Sequence, residues 1–299
     1  MALRLPGHER AKSTAERDAD KMALAESDRA SGQALLTVVI ITQEDPLYIP
    51  HFFRSFCRML PADADRITVR EVVIQPSFGE SKLQLAKRLL GFYGWVDFLR
   101  LLVRYTRQKW LLLLERLRLR KEPVSIAGIC RKHRIAVRVE ADINREAFIQ
   151  HLREAGIDLI VSVSAPQIFR QSLLEAPHYG CINIHNGRLP DYRGMLPNFW
   201  QMRNGEQYST TTIHTMVRKL DAGAVVWEEA TSIRPGMTLD DLIRGTKEKS
   251  AHALWWVLTD LAQHQRFTIL REIEGDGAYY SFPKSHDARQ LRAMGHALL

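Results

Sequence analysis

Asn183 and His185 stand two residues apart in Cys-Ile-Asn-Ile-His, a short apolar run that ends at the Gly- and Pro-containing stretch 186–194. In a strand, positions two apart point to the same face, so the amide and the imidazole project together while Ile184 faces the other way. An amide N–H beside an imidazolium suits the oxyanion that forms in acyl transfer. Further along, His214 closes Thr212-Ile213-His214, and Asp221 opens a turn at Ala222-Gly223. From such a turn Asp221 is placed to hold His185 protonated or to take a proton from an attacking group. The same residue types also admit quieter readings. An Asn-x-His at a strand end serves equally as hydrogen-bonding scaffold. His214 fits as a strand-end cap or as packing beneath the site. His185, His214 and Asp221 together have the composition of a two-histidine, one-carboxylate metal site.

The flanking sequence predicts the elements that must position these groups. Leu35–Thr42 is a continuous, β-branched apolar run, the pattern of a strand buried on both faces of a parallel sheet. Strands at Val69–Ile74, Ala136–Val139, Leu159–Val163 and Cys181–His185 continue the series. Helical patterns lie at Pro50–Leu60, Ser125–His133, Arg145–Ala155 and Gln167–Glu175. This alternation predicts an α/β, doubly wound, mostly parallel Rossmann-like sheet with ligands at the C-terminal ends of its strands. The first turn lacks G-x-G-x-x-G, so a dinucleotide site has no support. After Asn198 the order changes to a helix at Asn198–Asn204 and strands at Thr211–Met216 and Ala224–Glu229. A long helix follows, capped by Thr238 with Asp241 three residues on, and running to about His264.

Composition excludes several function classes. The 299 residues are 45% hydrophobic and 25% charged, enough for a substantial core. Cys57, Cys130 and Cys181 lie far apart, which excludes a disulfide framework or zinc ribbon and predicts a reducing, cytoplasmic setting. No stretch reaches about 18 uncharged apolar residues. Residues 1–34 carry six basic and six acidic side chains with no apolar h-region, so they read as a disordered tail and not as a secretory signal. The catalytic domain is then expected over 35–282, with a short polar C-terminal extension over 283–299.

The whole constellation resembles the folate-dependent formyltransferases that act on glycinamide ribonucleotide, methionyl-tRNA and amino sugars. Their pattern runs Asn-x-His-x-Ser-Leu-Leu-Pro-x-(Tyr/Trp/Phe)-(Arg/Lys)-Gly, then Gly-(Glu/Asp), Thr-(Ile/Leu/Val)-His and Asp-x-Gly. It stands here as Asn183-Ile-His185, Leu189-Pro190-Asp191-Tyr192-Arg193-Gly194, Gly205-Glu206, Thr212-Ile213-His214 and Asp221-Ala222-Gly223, with matching spacings. The resemblance covers about Leu36 to Phe282, apart from a basic segment. The family's Ser-Leu before Leu-Pro is Gly187-Arg188 here, and its Thr-Gly-Val-Thr is Ser209-Thr210-Thr211-Thr212.

The resemblance implies a catalytic triad of Asn183, His185 and Asp221, 10-formyltetrahydrofolate as formyl donor and no metal. It also implies that the pterin lies against Pro166, Gln167, Ile168 and Phe169 and against Met216, Val217 and Arg218. Arg188, Tyr192 and Arg193 fall on the acceptor side, where Arg188 fits either an anionic acceptor or a solvated loop. The implied acceptor is a primary amine on a small molecule such as a nucleotide-linked amino sugar. Methionyl-tRNA is disfavoured because only 78 residues follow Asp221. Tyr279-Tyr280-Ser281-Phe282-Pro283 is similar to the tail of sugar-modifying members. Hydrolysis of the same donor by the same three residues is the alternative reaction.

The net charge of +8 is concentrated. Residues 82–121 hold eleven Lys or Arg against Asp97 and Glu115, a net of +9 that leaves −1 for the rest of the chain. This basic, helical, aromatic-rich insertion (83–121) has three readings. It packs on the core or a second subunit, as in a homodimer; it lies on an anionic membrane surface, making the protein peripheral there; or it binds RNA backbone, with nucleic acid the least favoured.

Overall fold

The computed structural model describes residues 35–60, 66–76 and 81–299; the expected disordered tail, 1–34, lies outside them. Among the described residues, seven strands form one sheet in the order β3-β2-β1-β4-β5-β7-β8. The strands are β1 (Leu36–Gln43), β2 (Ile67–Gln75), β3 (Ala136–Val139), β4 (Leu159–Val163), β5 (Cys181–His185), β7 (Tyr208–Thr215) and β8 (Val225–Ser232). The pairings β2–β3, β1–β2, β1–β4 and β4–β5 are parallel, and β5–β7 and β7–β8 are antiparallel. The Rossmann-like half of the expected fold and its turn to antiparallel order after Asn198 are both present.

Strand periodicity divides the core in two. Val38, Ile40, Val161, Ile182 and Ile184 enter one apolar layer, and Val39, Ile41, Ile160 and Cys181 enter the other. Helices α1 (Ile49–Met59), α3 (Ile126–Lys132) and α7 (Leu239–His264) cover the first layer. In α1, Phe52, Phe53 and Phe56 are fully buried and their rings touch at 5.3–5.7 Å; each such side chain contributes roughly 2–3 kcal/mol. As expected, Thr238 caps α7 by accepting from Asp241 N at 3.0 Å. The second layer is covered by α4 (Glu146–Glu154) and α5 (Gln171–Leu174).

The helix expected at Gln167–Glu175 shrinks to the four residues of α5. Gln167 explains the loss: its Oε1 accepts from Gln75 Nε2 at 2.6 Å and Ile143 N at 3.1 Å, and its Nε2 donates to Ala141 O at 3.0 Å. These bonds pin residues 165–170 as a loop, and Asn144 accepts from Arg170 N at 2.8 Å.

The basic segment forms α2 (Lys82–Arg116), broken at Gly94, where φ is 72° and ψ 172°. That left-handed backbone suits glycine and redirects the helix. Phe92, just before the break, meets Tyr93, Phe199 and Phe282 at 4.9–5.5 Å. They belong to a third cluster shared with α6 (Pro197–Arg203) and with α8 (Ser285–Ala293), whose Ala288 and Leu291 are buried. Residues 283–299 therefore hold a packed helix.

Candidate functional site

The end of β5 carries Asn183 and His185, and antiparallel β7 brings His214 directly opposite Asn183. Cross-strand partners share a face, here the face of the second apolar layer. Asn183 Nδ2 donates to His214 Nε2 at 3.3 Å, and Asp221 Oδ1 approaches the same nitrogen to 3.6 Å. Asn183 and Asp221 thus converge on one atom of His214. His214 Nδ1 lies 2.9 Å from Thr215 O; a carbonyl only accepts, so Nδ1 carries the proton and Nε2 is the acceptor for Asn183. Burial, followed by the charge of His185, lowers the His214 pKa to about 4, with Asp221 and the Thr215 carbonyl opposing the shift. The ring is therefore neutral at pH 7, and its approach to Asp221 is not an ion pair. This side chain orients the Asn183 amide.

His185 Nε2 lies 2.6 Å from Tyr192 O and so donates to it, leaving Nδ1 as the ring's other nitrogen. The adjacent Gly187 is a packing requirement: a Cβ there would stand 2.7 Å from Pro197 Cβ, 2.8 Å from Tyr192 O and 2.9 Å from His185 Nε2. Asp221 is buried with φ at 50°. The turn that holds it needs Gly223, where any Cβ would overlap the Thr215 carbonyl. Among the described residues no cluster of three or more His, Cys, Asp or Glu side chains is arranged to hold a metal ion.

The expected donor loops flank these groups. Phe169 is buried in the second layer, and Met216 packs against the same layer. Both loops thus reach the face from which Asn183 projects. Gln167 is bonded to Gln75, Ala141 and Ile143, while Pro166, Ile168, Val217 and Arg218 are exposed. On the other side, Arg188 meets Asp191 at 2.9 Å and Glu206 at 3.3 Å. An anionic acceptor would have to compete with both carboxylates. Tyr192 donates to Glu206 at 2.7 Å and stacks on Tyr280 at 5.5 Å; burial and Glu206 push its phenol up to about 12. Arg193 sits in the two-residue strand β6 (Arg193–Gly194), paired with β9 (Tyr279–Tyr280).

Three supporting residues carry no sequence signal. Asn186 Oδ1 accepts from Thr211 at 3.2 Å and Ser250 at 3.0 Å. Gln201 donates to Asn186 O and Ser209, both at 3.0 Å. Lys247, on α7, is buried and donates to Ser164 Oγ at 2.9 Å just beyond the end of β4; burial lowers its pKa to about 8, partly offset by Asp45. These contacts span 8 to 83 residues and follow no local pattern.

Residues 113–258, which include Asn183, His185, His214 and Asp221, match the family described as formyl transferase. Over those residues the chain is similar to formyl transferases. It is similar to the methionyl-tRNA formyltransferase of Thermotoga sp. (strain RQ2), 37% identical over 121 residues, and to that of Thermotoga maritima, 33% identical over 175 residues. The matches cover 40% and 56% of this chain and 39% and 56% of those relatives, so the chain spans about half or less of their length. Among solved structures, a sugar N-formyltransferase from Shewanella sp FDAARGOS_354 is 17% identical with a TM-score of 0.53, covering 86% of this chain and 87% of its own. Glycinamide ribonucleotide transformylase 1 from Symbiobacterium toebii is 14% identical with a TM-score of 0.51, covering 80% and 95%. The sheet therefore has the fold of these formyltransferase structures.

Proposed function

We propose that the protein transfers a formyl group from 10-formyltetrahydrofolate to a primary amine, with a small molecule such as a nucleotide-linked amino sugar as acceptor. The observation that carries this reading is the convergence of Asn183 and Asp221 on the neutral, fixed ring of His214, beside His185 at the same strand end. With one amide N–H held by His214 Nε2, the other is free to meet the formyl oxygen. The amine nitrogen attacks the formyl carbon, and negative charge gathers on that oxygen. Asn183 and a doubly protonated His185, its Nε2–H already fixed on Tyr192 O, stabilise it. The carbon–N10 bond then breaks. The amine gives up a proton, through Asp221, and N10 of tetrahydrofolate gains one. The loops at 166–169 and 216–218 are the proposed pterin contacts.

The sequence relatives favour a second acceptor, methionyl-tRNA, which shares the donor half of this chemistry. One experiment separates the readings. The protein is incubated with 10-formyltetrahydrofolate and either nucleotide amino sugars, simple amines or methionyl-tRNA, and tetrahydrofolate and formate are followed. Turnover that needs a small amine supports the proposal. Turnover that needs methionyl-tRNA replaces the acceptor, and formate release without any amine replaces transfer by hydrolysis.

A further inference from the structure

The second half of α2, after the break at Gly94, turns an apolar stripe outward. Trp95, Leu99, Leu102, Val103, Trp110 and Leu113 are all exposed, Trp95 by 70% and Trp110 by 65%. They recur at intervals of three, four and seven, so they share one side of the helix. The opposite side holds the helix to the body. Phe98 and Leu101 pack on the third apolar cluster, Asp97 meets Arg292 at 3.0 Å, and Arg104 meets Asp240 at 3.0 Å. A soluble helix ordinarily does the reverse and buries its apolar stripe.

The charges complete the pattern. At about 100° per residue, Arg100 and Arg107 fall on one flank of the stripe and Lys109 and Arg116 on the other. The acidic residues of this segment are engaged away from the stripe. Asp97 is shared by Arg100 and Arg292, and Glu115 accepts from Val124 N at 2.6 Å and Ser125 N at 2.9 Å, at the start of α3. A second copy laid face to face would bring basic rails together with no carboxylate on either rail to offset them. An anionic bilayer offers what both features need: a hydrocarbon boundary for Trp and Leu, and headgroup charge for the rails.

We infer that residues 95–116 form an interfacial helix that docks this protein on anionic membrane surfaces. The helix is about 33 Å long and lies in the plane of the interface, with Trp95 and Trp110 at headgroup depth. Docking is independent of which amine is formylated.

The test is flotation of the full chain with phosphatidylcholine vesicles, with and without about one third phosphatidylglycerol, alongside sedimentation velocity without lipid. The wild type is expected to bind anionic vesicles at least about tenfold more tightly than neutral ones, with the preference falling as salt rises. The pair Leu99→Glu with Val103→Glu loses binding through the stripe. Arg107→Gln, Lys109→Gln and Arg116→Gln together lose the preference while leaving the stripe intact, and these exposed changes do not disturb packing. Equal or absent binding to the two vesicle types overturns the inference. So does a concentration-dependent dimer that Leu99→Glu with Val103→Glu dissolves, since a second copy is then the occupant.

Discussion

Replacing His214 by Gln tests the electrostatic reading of the site on a quantity that does not depend on the acceptor. His214 is 2% exposed and its pKa in the folded chain is about 4, against 6.5 for an exposed ring. Between those values the unfolded chain holds a proton that the folded chain does not, so stability falls as pH drops through the window. Between pH 7.5 and pH 5 this one group removes about 2 kcal/mol of stability, rising toward about 3 kcal/mol once both states are protonated below pH 4. Gln keeps a polar atom near the position of Nε2 but does not titrate. Urea denaturation of both proteins at pH 7.5 and pH 5 reads the difference directly. The wild type is expected to lose about 2 kcal/mol more than the variant over this interval. Equal losses would refute the neutral, buried histidine, and with it the argument that His214 accepts from Asn183.

Three further outcomes follow from packing and burial. Lys247 is buried at a pKa of about 8 against 10.5 when exposed, so stability rises with pH between those values as the folded amine sheds its proton first. Lys247→Met is expected to be more stable at pH 7 by up to about 3 kcal/mol and flat across that window; a wild-type curve without the rise counts against a buried ammonium. Gly223→Ala forces a Cβ into the Thr215 carbonyl and is expected to cost about 3 kcal/mol in urea melts while lowering turnover through Asp221; a neutral variant removes the tight turn. Phe92→Ala empties a 2% exposed aromatic junction and is expected to cost about 3–5 kcal/mol, and a loss under 1 kcal/mol would mean that α2 is not anchored there.

The sheet was legible because its strands are dense in β-branched residues: Leu36–Gln43 and Leu159–Val163 need burial on both faces and permit no other element. The shared face of Asn183 and His185 followed from strand parity alone. What pairs with them was not legible from parity. The register that sets His214 opposite Asn183 depends on the loop 186–207, whose path is fixed by Asn186, Gln201 and Ser209 bonding to one another and to α7. The missing first turn of the helix expected at Gln167 has the same origin, since a side chain committed to Ala141, Ile143 and Gln75 outweighs local helix propensity. Gly94 gave no warning of a break, because glycine inside a helical pattern is tolerated. The basic charge of 82–121 was plain in the sequence. Only the structure shows that one stripe of its apolar residues, from Trp95 to Leu113, faces outward.

The most direct test of the central claim is single-turnover formyl transfer by the Asp221→Asn and Asn183→Ala variants, with donor binding measured in parallel. The account predicts that both bind 10-formyltetrahydrofolate within a few-fold of wild type and lose about two or more decades in the transfer rate, the scale of a missing general base or oxyanion donor. Near-normal transfer by either variant would contradict it.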